Sequence, residues 1–248
     1  MPGQRHRLFI NVIHACPNAC RFCVDFKGET FYGFDLKHGH SATVDEIVSS
    51  VREYSLIDQV SEIYFCGIGE PLLRYDVVTE CAGYFRRMLP PRIRLCINTS
   101  GTFYHWTPHV DFAGNFDLIQ VSLNAENEEK YNRICRPKFA GAYQVLMEFL
   151  KRLRSFLEET GALCRVELSV VDTSEIEHLP QSSKNLVDMP TPDIAACQKI
   201  ANSFGWPLKV KRLLRDCADD IWRPFAFAFE AEKKAVDLNI KSFRSKQI

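Results

Sequence analysis

Short apolar runs alternate along the chain with longer stretches whose apolar residues recur every three or four positions. Residues 8–14 (LFINVIH), 61–66 (SEIYFC), 93–98, 118–123 (LIQVSL), 163–171 and 208–214 have the length and content of buried strands. Residues 44–57, 73–89, 143–157 and 191–204 carry helical spacing. Leu73, Val77, Val78, Cys81, Phe85 and Met88 share one face, and Leu146, Phe149, Leu150, Leu153 and Leu157 share another. Such alternation predicts parallel strands joined by right-handed helical crossovers. The expected fold class is α/β: a partial (β/α)6 TIM-like barrel with a C-terminal tail, since six units fall short of a closed barrel. A doubly wound sheet is the alternative. In either fold, chemistry collects at the carboxyl ends of the strands, just past residues 14, 66, 98, 123, 171 and 213.

Two connections interrupt the rhythm: 24–41, which contains His38 and His40, and the polar segment 172–190. Long loops inside a compact domain are usually functional. Residues 1–215 are expected to form the barrel domain, and 216–248 a C-terminal extension.

Composition narrows the function classes. The 248 residues carry 31 Lys and Arg against 31 Asp and Glu, and 46% are hydrophobic. That rules out intrinsic disorder. Zero net charge removes any broad pull toward nucleic acid or an anionic membrane. No apolar run approaches the roughly 20 residues of a membrane span. The start of the chain is too short and polar for an export signal, so a cytoplasmic location is expected. Ten cysteines in such a chain are expected to be thiols or metal ligands in a reducing compartment.

Three of them are packed into Cys16-Pro-Asn-Ala-Cys20-Arg-Phe-Cys23, directly after the first strand. Three close thiolates suit a soft metal. Zinc would need a fourth ligand, which Cys66 could bring from the next strand. An iron–sulfur cluster would leave its fourth iron open to another ligand. Three unrelated thiols at a strand end are the bland alternative.

The CxxxCxxC pattern after strand one, with Phe22 before the last cysteine, resembles the radical S-adenosylmethionine (SAM) superfamily. The resemblance implies a [4Fe–4S] cluster on Cys16, Cys20 and Cys23, with SAM on the fourth iron and Phe22 near the adenine. It implies reductive cleavage of SAM, most often to a 5′-deoxyadenosyl radical that abstracts a substrate hydrogen, in oxidoreductase- or lyase-type catalysis. It also implies an electron donor of the flavodoxin or ferredoxin type. Cys66-Gly67-Ile68-Gly69-Glu70-Pro71 is similar to the family's GGEP motif, so Gly67, Gly69, Glu70 and Pro71 are expected at the SAM amino group. Asn98, Ser122 and Asn124 follow strands three and four and resemble further SAM contacts, although Asn124 could equally cap a helix beginning near Glu126. Taken with Tyr131, Cys135-Arg136-Pro137 and Ser169–Asp172, these motifs look like the TatD-linked radical SAM proteins, a subgroup whose name supplies no reaction.

Substrate residues are expected among Arg136, Cys135 and Asp172: a bidentate anion contact, a hydrogen-atom donor or second-cluster ligand, and a strand-end carboxylate. Each has a plainer reading, as a surface ion pair, a buried core thiol and a loop cap. Small size and neutral charge favour a small-molecule substrate. A protein partner is the main alternative, as is cleavage of a different SAM C–S bond to transfer an aminocarboxypropyl group. A zinc-binding interaction module and a nucleic-acid modifier stand behind these, the last disfavoured by charge although Lys209-Val-Lys211-Arg212 is basic. No membrane partner is expected.

Overall fold

A computed structural model of the chain describes residues 6–23, 41–55, 57–67, 69–174 and 188–212. Most of the 24–41 loop with His38 and His40, the centre of the 172–190 connection, and the extension with Cys217 lie outside the described residues. The strands are β1 (His6–Ile10), β2 (Val60–Phe65), β3 (Arg94–Thr99), β4 (Leu118–Ser122), β5 (Arg165–Asp172) and β6 (Leu208–Arg212). The helices are α1 (Val44–Arg52), α2 (Tyr75–Met88), α3 (Glu128–Cys135), α4 (Ala142–Thr160) and α5 (Ile194–Ser203). All strand pairs are parallel and the sheet runs β1-β2-β3-β4-β5-β6, each strand beside its chain neighbour. This is the expected α/β architecture.

Alternation within each strand separates two faces. Ile63 and Phe65 of β2, Leu95 and Ile97 of β3, Ile119 and Val121 of β4 and Leu168 and Val170 of β5 join the core under the helices. Phe103, Phe112 and Phe149 interlock edge-on or stacked at centroid distances of 5.3–6.5 Å in that layer. The other face carries Tyr64, Cys96 and Leu118 with Cys66 beside them. It also carries Glu62, paired with Arg7 and Arg94, and Gln120, whose amide donates to Glu167. Four strand intervals of about 4.8 Å separate β2 from β6 in a flat sheet. Lys211 of β6 nevertheless feels the Cys66 thiol, so the sheet rolls and this face turns inward.

Local chemistry moved several element boundaries. The helix expected from residue 73 begins at Tyr75, because Glu70 caps a 3-10 turn over Pro71–Arg74 instead. The helix expected from 191 begins after Asp193, whose carboxylate accepts from Ala196 N–H at 2.9 Å. The 44–57 stretch splits into α1 and a separate 3-10 turn.

Candidate active site

Cys16, Cys20 and Cys23 lie on the segment that leaves β1 at its carboxyl end. Main-chain bonds hold that segment against the last turn of α3. Ala19 N–H donates to Cys135 O at 3.0 Å and Arg136 O at 3.1 Å, and Arg21 N–H donates to Ile134 O at 3.0 Å. Lys138 N–H returns to Pro17 O at 2.8 Å, and Asn18 bridges Pro137. The last carbonyls of a helix have no partner within it, so the cysteine loop caps α3 and α3 supports the loop. Arg136 makes the reversal possible by taking a left-handed conformation, φ 45° and ψ 61°. Cys23 N–H closes the loop onto Cys20 O at 3.0 Å.

Burial pushes the Cys16 thiol up to about 12, and the nearby Glu70, Cys20 and Cys23 add to this. Cys20 is raised by a hydrogen bond with the Cys135 thiol and by its own burial. Metal binding must therefore displace protons from these thiols. Among the described residues no three His, Cys, Asp or Glu side chains converge on one point as a single ion requires. A polynuclear cluster distributes its thiolates over separate irons. Three thiols on one short loop are a donor set that an iron–sulfur cluster accepts.

The loop after β2 lies directly on the segment between β1 and Cys16. A Cβ on Gly67 would fall 1.9 Å from Asn11 Oδ1, and one on Gly69 would fall 1.9 Å from the Ile13 carbonyl oxygen. Glu70 N–H donates to Ala15 O at 2.9 Å. We predict that Gly69→Ala forces these two segments apart. SAM binding, read by equilibrium dialysis, should fall at least tenfold while the helical circular dichroism is retained. Unchanged SAM affinity would sink the close-packing argument.

Glu70 is fully enclosed. Its Oε1 accepts from Leu72 N–H at 3.1 Å and Thr99 Oγ1 at 2.8 Å, and its Oε2 accepts from Ser100 N–H and Ser100 Oγ, both at 2.6 Å. Four donors fill the lone-pair sites of a carboxylate. The expected ammonium contact therefore finds both oxygens occupied by the chain's own groups. Glu70 instead clamps the β2 loop to the turn after β3. Burial raises its pKa, and these donors oppose the rise. Pro71 starts the 3-10 turn behind it.

The remaining expected residues divide. Asn98, at the carboxyl end of β3, has a buried Oδ1 without a hydrogen-bond partner. Ser122 ends β4, half-buried. Asn124 is buried at φ 60° and donates from Nδ2 to Cys135 Sγ at 3.5 Å. It is not a helix cap: Asn127 caps α3, accepting from Lys130 N–H at 2.9 Å. Phe22 packs half-buried against the main core. Cys135 is fully buried beside Cys20. Asp172 accepts from Ser174 N–H at 2.9 Å and so caps a turn. Arg136 is exposed, on the outer rim.

Sequence reasoning gave no site role to three residues. Asn18 donates from Nδ2 to the buried Tyr131 hydroxyl at 3.1 Å beneath the cysteine loop. Ser100 supplies two of the four donors to Glu70. Burial and the neighbouring Lys209 lower the Lys211 ammonium to about 8. A register argument could have found Lys211, because the Val171↔Lys211 pairing sets it on the inner face.

The sequence profile described as the radical SAM superfamily matches residues 10–165. The chain belongs to the radical SAM superfamily. Membership brings a [4Fe–4S] cluster and SAM as cofactors and makes the chain an enzyme. It is 25% identical over 249 residues to a probable dual-specificity RNA methyltransferase RlmN of Synechococcus sp. (strain CC9902), covering 97% of this chain and 66% of that protein. It is 31% identical over 137 residues to the dual-specificity RNA methyltransferase RlmN of Halorhodospira halophila, covering 53% and 35%. The chain thus spans about half the length of the curated relatives it matches, from 35% to 66%. Among solved structures, anSMEcpe with bound AdoMet superposes with a TM-score of 0.54 at 15% identity, covering 88% of this chain and 52% of that one, which establishes the shared fold. No helix among the described residues is long and apolar enough to cross a membrane.

Proposed function

We propose that Cys16, Cys20 and Cys23 carry the cluster, that the Gly67–Glu70 loop and Asn98 receive SAM, and that the enzyme acts on RNA. The observation that carries the site is the glycine loop packed, through Gly69 and the Glu70 N–H, on the segment that leads from β1 into the three-thiol loop. When bound, the cluster supplies an electron that cleaves a sulfonium C–S bond of SAM. The chain's own residues prepare for this. The α3 end fixes the loop, Asn98 Oδ1 offers a free acceptor on the inner side, and Glu70 holds the β2 and β3 ends together.

For the substrate, zero net charge and small size weigh toward a metabolite. The names of the curated relatives weigh toward RNA and methyl transfer. Net charge is an average over the whole chain and does not describe the rim of the site, so RNA is the stronger reading. The motif around Tyr131 and Cys135-Arg136-Pro137 supports the TatD-linked subgroup within the superfamily.

The protein would be reconstituted anaerobically with iron and sulfide and given SAM and a strong reductant, with and without total RNA. RNA-dependent formation of 5′-deoxyadenosine and methionine is the expected result, with S-adenosylhomocysteine beside them where a methyl group passes to the RNA. 5′-Deoxyadenosine formed at one rate with or without RNA would return the small-molecule reading. Methylthioadenosine would point to aminocarboxypropyl transfer.

A further inference from the structure

The outer side of the cysteine loop faces a patch that combines exposed cations with an aromatic ledge. Arg136 and Lys138 are exposed, and no carboxylate among the described residues pairs with either. Arg21 and Arg133 lie close by: both cations, Arg136 before Arg133, press on the Arg21 guanidinium after burial, with Asp188 opposing them. The next residue, Phe139, carries an aromatic ledge. His105 stacks on it at 4.5 Å and 23°, and Trp106 meets it edge-on at 5.0 Å. Trp106 is 53% exposed. A recess of about 370 Å³ between the charges and the ledge is lined by Asn132, Arg136, Pro137, Lys138, Phe139 and Ala140.

Contiguous exposed aromatic surface marks an interaction site, and here it lies beside exposed cations. Together the two features match one polymer, whose backbone is anionic and whose side groups are flat rings. We propose that this patch binds single-stranded RNA, its bases stacking on Trp106 and Phe139 and its phosphates meeting Arg136 and Lys138. The proposal rests on reading the cysteine loop as the reaction centre, because Lys138 is tied to that loop through Pro17. An acidic peptide would use the cations and leave the aromatic ledge uncovered. That difference separates the two partners.

The test uses the full chain loaded with cluster and a fluorescein-labelled single-stranded RNA dodecamer of mixed sequence, read by anisotropy. Wild type is expected to bind, with affinity falling linearly in log–log plots against salt. Trp106→Ala should weaken binding about tenfold or more, since a stacked base is worth roughly 1–3 kcal/mol. Lys138→Ala should reduce the salt slope by about 1. Trp106→Ala should retain its iron content and its SAM affinity in equilibrium dialysis, so loss of docking is distinguishable from loss of the cofactor site. A protein that binds RNA but never cleaves SAM would overturn the reading of the reaction centre and leave the patch standing. Equal affinity of Trp106→Ala and wild type, no RNA binding, or equal competition by polyglutamate would each overturn the RNA site.

Discussion

Replacing Cys20 by alanine is expected to reduce bound iron and sulfide after reconstitution to background and to abolish reductive SAM cleavage. The thiol belongs to a loop whose position does not depend on it. The bonds from Ala19 and Arg21 to the end of α3 are between main-chain groups and survive the substitution. The variant should therefore melt within a few degrees of the wild type before reconstitution, so that the loss reports a missing ligand and not a missing fold. Cys164→Ala is the matched control: that thiol precedes β5 at its amino end, the opposite end of the sheet from the site. Cys135→Ala is the sharper comparison. It removes the thiol that hydrogen-bonds Cys20, yet Cys135 stands on α3 and not on the loop. It should keep its iron and shift the cluster's reduction potential, because hydrogen bonds to the sulfurs help set that potential. Full iron content in Cys20→Ala would remove Cys20 from the ligand set, and no shift in Cys135→Ala would deny it an influence on the cluster.

Glu70→Ala is expected to be the most destabilising single change near the site. It strands the Leu72 and Ser100 amides and the Thr99 and Ser100 hydroxyls, all of which now donate to one carboxylate. The hydroxyls can rotate to new partners; the two amides cannot. Leaving buried donors unsatisfied costs about 1–3 kcal/mol each. A loss of roughly 3 kcal/mol corresponds to about 10 °C in melting temperature for a chain of this size. Glu70→Gln should fall between. Whichever way its amide group points, the NH2 faces one amide donor and loses that bond. Thermal melts and SAM dialysis on both variants decide the residue's role. A clamp lowers stability in both. A direct ammonium ligand would leave Glu70→Gln as stable as wild type and lower only SAM affinity.

The fold was largely legible in the sequence. Each of the six strands reads as an apolar run because parallel strands under helices need hydrophobic side chains at close intervals. Ile63 with Phe65 and Ile119 with Val121 are such pairs. The cysteine triplet and the glycine loop were legible because both are local spacings. Side-chain contacts were not legible where the partner is distant in sequence. Glu70 meets Thr99 and Ser100 across 29 and 30 residues, and Asn18 meets Tyr131 across 113. α3 was read as a helix beginning near Glu126, but its cap is Asn127, because Asn124 turns into the left-handed region to reach Cys135. The charge argument has a related limit. A formal charge of zero is a sum over 62 ionisable acids and bases, 31 of each sign, and hides the grouping of Arg136 and Lys138.

The docking of the cysteine loop on α3 bears on how such an enzyme can diverge. Its hydrogen bonds join peptide groups, so they ask nothing of the side chains at 19, 21 or 136 beyond backbone shape, while Ile134 is held by the core. Those three positions can vary from one lineage to another while the frame for three thiols stays fixed. Selection can then rewrite what surrounds the reaction centre one residue at a time, without passing through ancestors that have lost it.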